Sequence, residues 1–113
     1  MSRARLAVAA LLVMLIVACG AAAASVRSGG RTEITMRGNS FRPRRAEVQV
    51  GDTVVWVNRD IVRHDAVKPG LFDSGELRGG ERFEWVAADT GVVEYRCTIH
   101  QRMRGELVVR AAK

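Results

Sequence analysis

Cysteine and histidine are both scarce in this chain of 113 residues, which has two of each. Cys19 ends an apolar N-terminal run that is expected to be removed or lipidated, so Cys97 is the one thiol expected in the mature domain. No internal disulfide can then form, and haem attachment through a Cys-x-x-Cys-His motif is excluded because its second cysteine is missing. A lone thiol in an exported protein needs protection by burial, by a metal or by both.

Long apolar runs are also absent, apart from one at the N-terminus. Residues 6–18 carry no charge and follow two arginines, and the run is short for a membrane span, so residues 1–24 are predicted to be a signal peptide. Two cleavage readings stay open. "IVAC" resembles a bacterial lipobox, which would attach lipid to Cys19 and tether the protein to a membrane, whereas cleavage after Ala24 would release it. An uncleaved anchor would leave the same domain outside the cytoplasm, so a periplasmic or cell-envelope location is expected.

Basic residues outnumber acidic ones, yet no basic cluster is interleaved with aromatic residues. Removing Arg3 and Arg5 takes two charges from the formal net charge of +6 and leaves +4. The excess is almost all arginine, since lysine occurs only at Lys68 and Lys113. This balance indicates an acidic partner or an anionic membrane surface, or simply a solvated basic surface, and nucleic acid is not expected as a partner.

The rest of the chain shows the two-residue periodicity of β-strands rather than that of helices. Residues 25–31 are interpreted as a Gly/Ser/Arg linker and residues 32–113 as one domain. Short segments rich in β-branched residues alternate with Gly, Asp and Asn turns, which predicts an all-β sandwich or barrel. The segments are "TEITMRG", "AEVQVGDTVVWVN", "ERFEWVA", "GVVEYRC" and "GELVVR". Because Cys97 shares the face of Val93 and Tyr95, its side chain is predicted to point into the core.

Four side chains of the mature domain form a ligand set for copper. Cys97, His100 and Met103 follow one another at intervals of three residues, and His64 is the other histidine. Taken singly, each is more often a core or surface residue than a ligand. Together, two imidazoles, a thiolate and a weak thioether are the ligands of a blue-copper electron-transfer centre. The sequence therefore predicts one copper ion bound by His64, Cys97, His100 and Met103.

The sequence resembles the cupredoxins of the plastocyanin type, and most of all the amicyanin-like members. The resemblance covers about residues 39–110 and rests on four features in order. These are Phe41 with Pro43, "VQVGDTVVWVN", His64 and "YRCTIHQRMRGELVV". It implies a Greek-key sandwich of about eight strands with one type 1 copper near one end. It also implies that His100 is the ligand that reaches solvent and the port for electrons.

Three positions near the ligands depart from the amicyanin-like pattern. Arg63 and Asp65 flank the first ligand where the resemblance implies a proline and an asparagine. Asp65 can still accept a hydrogen bond from Thr98, but it cannot donate one. Ile99 takes the place of a proline just before the loop histidine, so its N–H is predicted to donate to the Cys97 sulfur and to raise the reduction potential.

The loop around His100 also departs from the pattern, because Gln101, Arg102 and Arg104 replace an apolar collar. A partner with an acidic docking face is therefore expected. The prediction is a monomeric, exported carrier of single electrons, with copper cycling between Cu(I) and Cu(II). It is not expected to be an enzyme, because four ligands leave no open copper position. The alternatives are a periplasmic copper chaperone or scavenger, and a small copper oxidase or dismutase.

Overall fold

The computed structural model describes residues 29–113, and nine β-strands build this part of the chain. The predicted signal peptide, its lipobox at Cys19 and residues 25–28 of the linker lie outside the described residues. None of residues 29–113 lies in a helix that could cross a membrane. The strands are β1 (Arg31–Arg37), β2 (Ser40–Arg42), β3 (Arg45–Gln49), β4 (Thr53–Asn58), β5 (Val67–Lys68), β6 (Phe72–Asp73), β7 (Arg82–Val86), β8 (Gly91–Arg96) and β9 (Arg104–Arg110).

The nine strands form two facing sheets, with the order β2-β1-β4-β7 in one and β3-β9-β8-β5-β6 in the other. The chain passes repeatedly between them, and the pairs β1–β4 and β3–β9 are parallel whereas the others are antiparallel. The predicted all-β sandwich is confirmed. The strand count is nine rather than about eight, because β5 and β6 are separate strands of two residues each.

The core lies between the sheets and is filled by the inward positions of the alternating segments. Ile34 and Met36 of β1 are fully buried, as is Trp56 of β4. Val93 and Tyr95 of β8 point inward as well, and the Cys97 that follows them is buried, which confirms its predicted direction. The aromatic rings of Trp56 and Tyr95 meet edge to face with centroids 5.4 Å apart, so the core is continuous across both sheets.

Strand β4 is buried on both faces, in keeping with its four consecutive apolar residues at positions 54–57. Val55 and Val57 face away from the core, yet each is about 1% exposed. Neighbouring strands place Glu33 beside Val55 and Arg82 beside Val57, and these two charged residues lie within 3.7 Å of each other in an ion pair. Their apolar stems cover the valines while the charged groups reach water.

Candidate metal centre

The loop between β8 and β9 is a short, internally bonded turn at one end of the sandwich. Its first and last residues are joined where the Cys97 N–H donates to the Met103 carbonyl, over 3.0 Å. The Met103 N–H in turn donates to the His100 carbonyl, also over 3.0 Å. These two bonds therefore fix the backbone of all three predicted loop ligands, at the point where β8 ends and β9 begins.

His64 comes from a different segment, which is anchored to the sandwich by an isolated bridge. His64 and Leu77 exchange backbone hydrogen bonds of 3.2 and 2.7 Å. The Asn58 side chain braces the same region by donating from Nδ2 to the carbonyls of Val62 and Leu77, both over 2.8 Å. Asn58 is fully buried and its bond to Leu77 forms away from water, so the two bonds hold the His64 segment firmly.

The two anchored segments bring three of the four predicted ligands to one point. The potential ligand atoms of His64, Cys97 and His100 all lie within 4.8 Å of one another. The Nδ1 atoms of the two imidazoles are 3.2 Å apart, and the Cys97 Sγ is 3.6 Å from the His100 Nδ1. Two nitrogens that share one ion at about 2.0–2.1 Å are roughly 3.3–3.6 Å apart, so the cluster has the dimensions of a metal site.

The fourth predicted ligand, Met103, lies at the base of the same loop. It is 1% exposed, and its backbone bonds to Cys97 and His100 keep it beside them. His64 and Cys97 are buried, whereas His100 is partly exposed. A metal held by this set would therefore reach solvent through the His100 ring.

Asp60, which the sequence interpretation missed, fixes the tautomer of His64. Its Oδ2 lies 3.0 Å from the His64 Nε2 and also accepts the Gly38 N–H, while its Oδ1 accepts the Ile61 N–H. The hydrogen bond from His64, followed by that from Ile61, holds the pKa of Asp60 below its ordinary value. An ionised carboxylate at Nε2 keeps the proton there and leaves the Nδ1 lone pair free for a metal.

Asp65 joins the two segments of the site. Its Oδ1 accepts the Thr98 N–H over 2.6 Å, and its Oδ2 accepts the Thr98 hydroxyl. The expectation that Asp65 accepts a hydrogen bond from Thr98 is confirmed. Because Asp65 follows His64 and Thr98 follows Cys97, these bonds fix the spacing between two predicted ligands.

The prediction that the Ile99 N–H donates to the Cys97 sulfur is wrong. Among residues 29–113, the N–H that bonds to the Cys97 Sγ is that of Asp65, over 3.5 Å. The sulfur faces the His64 segment, which supplies this donor, while Ile99 lies at the outer edge of the loop with 42% of its surface exposed. The donor to sulfur thus comes from the neighbouring segment and not from the loop itself.

Comparisons with known proteins find similarity to amicyanins, although no protein-family model matches the chain. Amicyanin from Paracoccus denitrificans is 34% identical over 68 residues, which are 55% of this chain and 52% of the relative. Amicyanin from Paracoccus versutus is 31% identical over 68 residues, with the same two shares. The chain therefore spans about half the length of these curated relatives.

The chain is also similar to solved structures of a cupredoxin and a copper-containing enzyme. A purple cupredoxin from Nitrosopumilus maritimus is 32% identical with a TM-score of 0.66, and the match covers 70% of this chain and 99% of that one. A copper-containing nitrite reductase from Thermus scotoductus is 34% identical with a TM-score of 0.67, and 74% of this chain matches 23% of the reductase. The first similarity covers a whole protein, whereas the second covers only part of a larger enzyme.

Proposed function

Because this chain belongs to the cupredoxin family, whose members bind one copper ion, we propose that it carries single electrons between redox partners. The observation that carries the proposal is the convergence of His64, Cys97 and His100, each of which has a potential ligand atom within 4.8 Å of those of the other two. We assign His64, Cys97 and His100 as the strong copper ligands and Met103 as the weak axial one. Copper would supply the one-electron couple between Cu(I) and Cu(II).

The chain's own contribution is a rigid donor set that suits both oxidation states. The soft sulfur donors favour Cu(I), whereas imidazoles bind either state. Hydrogen bonds hold each proposed ligand in place. The Asp60 carboxylate bonds to the His64 ring, and the Asp65 N–H donates to the Cys97 sulfur. The Met103 N–H donates to the His100 carbonyl. A site that cannot rearrange keeps one geometry through the redox cycle, so electron transfer requires little movement.

A carrier fits the site better than an enzyme does. Four protein ligands leave no open position where a substrate could bind the metal. The similarity to the nitrite reductase covers 23% of that protein, so it supports the shared fold and does not support an enzymatic reaction in this chain. The partly exposed His100 is the group through which we propose that electrons enter and leave.

We further propose that the carrier works outside the cytoplasm as a monomer, beside a partner with an acidic docking face. The N-terminal apolar run supports export, and the "IVAC" motif supports a membrane tether through Cys19. Arg102 and Arg104 are exposed on and beside the loop of His100, which supports the acidic partner.

A potentiometric titration of the copper-loaded chain tests the carrier against the copper chaperone. We expect one copper per chain and a reversible one-electron transition with the metal retained in both states. Asp89→Asn, on an exposed loop, is a control expected to leave the copper content and the redox transition unchanged. Release of copper on reduction, or its rapid transfer to a weak chelator, would contradict the carrier and support a chaperone or scavenger.

A further inference from the structure

A groove of about 460 Å³ lies on the outer face of the five-stranded sheet, away from the core. Its floor is formed by residues 94–96 of β8 and 104–106 of β9. One wall is formed by residues 44–45 at the start of β3, and the other by residues 67–69 at β5, as the strand order β3-β9-β8-β5 requires. None of the proposed copper ligands lines this groove.

The groove is rich in positive charge that the protein does not neutralise. Five cationic and two acidic side chains line it. Arg45 pairs with Glu106 over 3.4 Å. Within the described part of the chain, the other four cations have no carboxylate within 4.0 Å; they are Arg44, Lys68, Arg96 and Arg104. Glu94 is the one acidic residue left to oppose them.

Two of these cations lie directly opposite each other on adjacent strands. Arg96 and Arg104 are partners in the antiparallel register of β8 and β9, and both are exposed. Like charges in this position repel and destabilise the strand pair. Elsewhere on the same sheet, the neighbouring strands β3 and β9 place Arg45 opposite Glu106 and bring Arg110 within 3.0 Å of Glu47. An anion bound between Arg96 and Arg104 would turn the repulsion into attraction.

We propose that the groove is a binding site for a multivalent oxyanion of the phosphate class. Guanidinium groups match phosphate oxygens with paired N–H donors, and three of the four unneutralised cations are arginines. Arg44 and Lys68 approach from opposite walls, so the cations surround the space instead of forming a flat patch. A volume of about 460 Å³ lies within the range of small-molecule sites and accommodates more than one phosphate group.

The site is separate from the copper centre but adjoins it along the chain. Arg96 directly precedes Cys97, and Arg104 directly follows Met103. The proposal depends on the sheet surface and not on copper, so it can be tested whether or not the metal binds.

Nuclear magnetic resonance titration with sodium pyrophosphate tests the proposal. The full chain is used in its Cu(I) form and again without metal, with ionic strength held constant by sodium chloride. We expect saturable shifts of the amides of residues 44–45, 67–69, 94–96 and 104–106. Arg96→Gln combined with Arg104→Gln should raise the Kd about tenfold or more, because two charge-assisted contacts are lost.

A matched control removes the same charge elsewhere. Arg37 and Arg78 are exposed and lie outside the groove, and among residues 29–113 their guanidinium groups have no carboxylate within 4.0 Å. Arg37→Gln combined with Arg78→Gln should change the Kd less than twofold. Lys68→Gln alone should weaken binding without altering the β8–β9 pair. Shifts that do not saturate, or an equal loss in the control, would overturn the proposal.

Two further probes identify the source of the phosphate. Co-sedimentation with phosphatidylglycerol vesicles but not phosphatidylcholine vesicles, abolished by pyrophosphate, would support the site and assign a lipid headgroup. Pyrophosphate binding without co-sedimentation would support the site and assign a free anion. Groove shifts with poly-glutamate but none with pyrophosphate would overturn the proposal and favour an acidic protein.

Discussion

Asp60 acts on the proposed copper site through the ring of His64. Its carboxylate is held by the N–H groups of Gly38 and Ile61, so the oxygen that faces the His64 Nε2 is fixed in position. The neighbouring carboxylate holds the imidazole in one orientation and places a negative charge one residue from the metal position. This arrangement should strengthen Cu(II) binding more than Cu(I) binding.

Asp60→Asn keeps the size of the side chain and removes its charge. We expect the midpoint potential to rise, because a nearby carboxylate favours the more positive oxidation state. Cu(II) affinity should fall by about 10- to 100-fold, the usual effect of losing such a partner. Voltammetry and competition with a chelator measure the two quantities, and Asp89→Asn is the control. Unchanged potential and affinity would show that Asp60 does not act on the metal.

At the residue scale, the sequence predicted which side chains meet at the site. It did not predict all the groups that form hydrogen bonds to them. His64, Cys97 and His100 could be selected because the domain has so few thiols and imidazoles. Asp60 could not, because carboxylates are common in loops and its distance of four residues from His64 is the sole signal. The donor to sulfur was assigned to Ile99 instead of Asp65, because the direction of an N–H in a loop depends on the segment that packs against it.

At the element scale, β8 and β9 fit closely at one pair of residues. Tyr95 and Gly105 are direct partners in the register, and the tyrosine ring covers the glycine. A Cβ added at Gly105 would lie 2.2 Å from the Tyr95 ring, far closer than atoms can approach. Only glycine leaves room for this ring, which contacts Phe41 and Trp56 in the core.

Gly105→Ala should therefore destabilise the metal-free domain by about 1–3 kcal/mol, the usual cost of overpacking a core. Urea unfolding followed by circular dichroism measures the free energy of unfolding. In a Tyr95→Leu background, which removes the outer ring atoms, the same substitution should cost much less. Equal costs in the two backgrounds would show that the Tyr95 ring is not the source of the strain.

The sequence predicted the longer strands but not the shortest ones. Alternation over five or more residues identified β1, β7 and β8, because one face of each is turned toward the core. The β-branched residues around Trp56 identified β4, which is buried on both faces. No periodicity can show in the two residues of β5 or of β6, and these form by pairing with β8 and with each other. The order of strands in the sheets depends on contacts between distant segments, which local pattern does not contain.

At the scale of the whole molecule, the positive charge should act mainly on how fast partners associate. Without the predicted signal peptide the formal net charge is +4, and Arg102 and Arg104 are exposed on and beside the loop that carries His100. Exposed charges steer an oppositely charged partner over distances comparable to the Debye length, which is about 8–10 Å at 0.1–0.15 M salt.

Oxidation of the Cu(I) protein by hexacyanoferrate(III), an anion, should slow as salt is added. Arg102→Gln combined with Arg104→Gln should lower the rate at low salt and flatten its salt dependence, whereas Arg37→Gln combined with Arg78→Gln should do neither. Stopped-flow kinetics at several ionic strengths provide the measurement. A rate independent of salt, or an equal effect of both double variants, would contradict steering toward His100.

The most direct measurement of the central claim is the visible and EPR spectrum of the purified mature domain after addition of Cu(II). A trigonal site with a short thiolate bond predicts an intense blue colour and a small parallel hyperfine splitting. Cys97→Ser should abolish the colour, while Thr98→Ser, which keeps the hydroxyl that bonds to Asp65, should retain it. A colourless protein with an ordinary tetragonal Cu(II) signal would contradict the blue-copper centre and the electron carrier built on it.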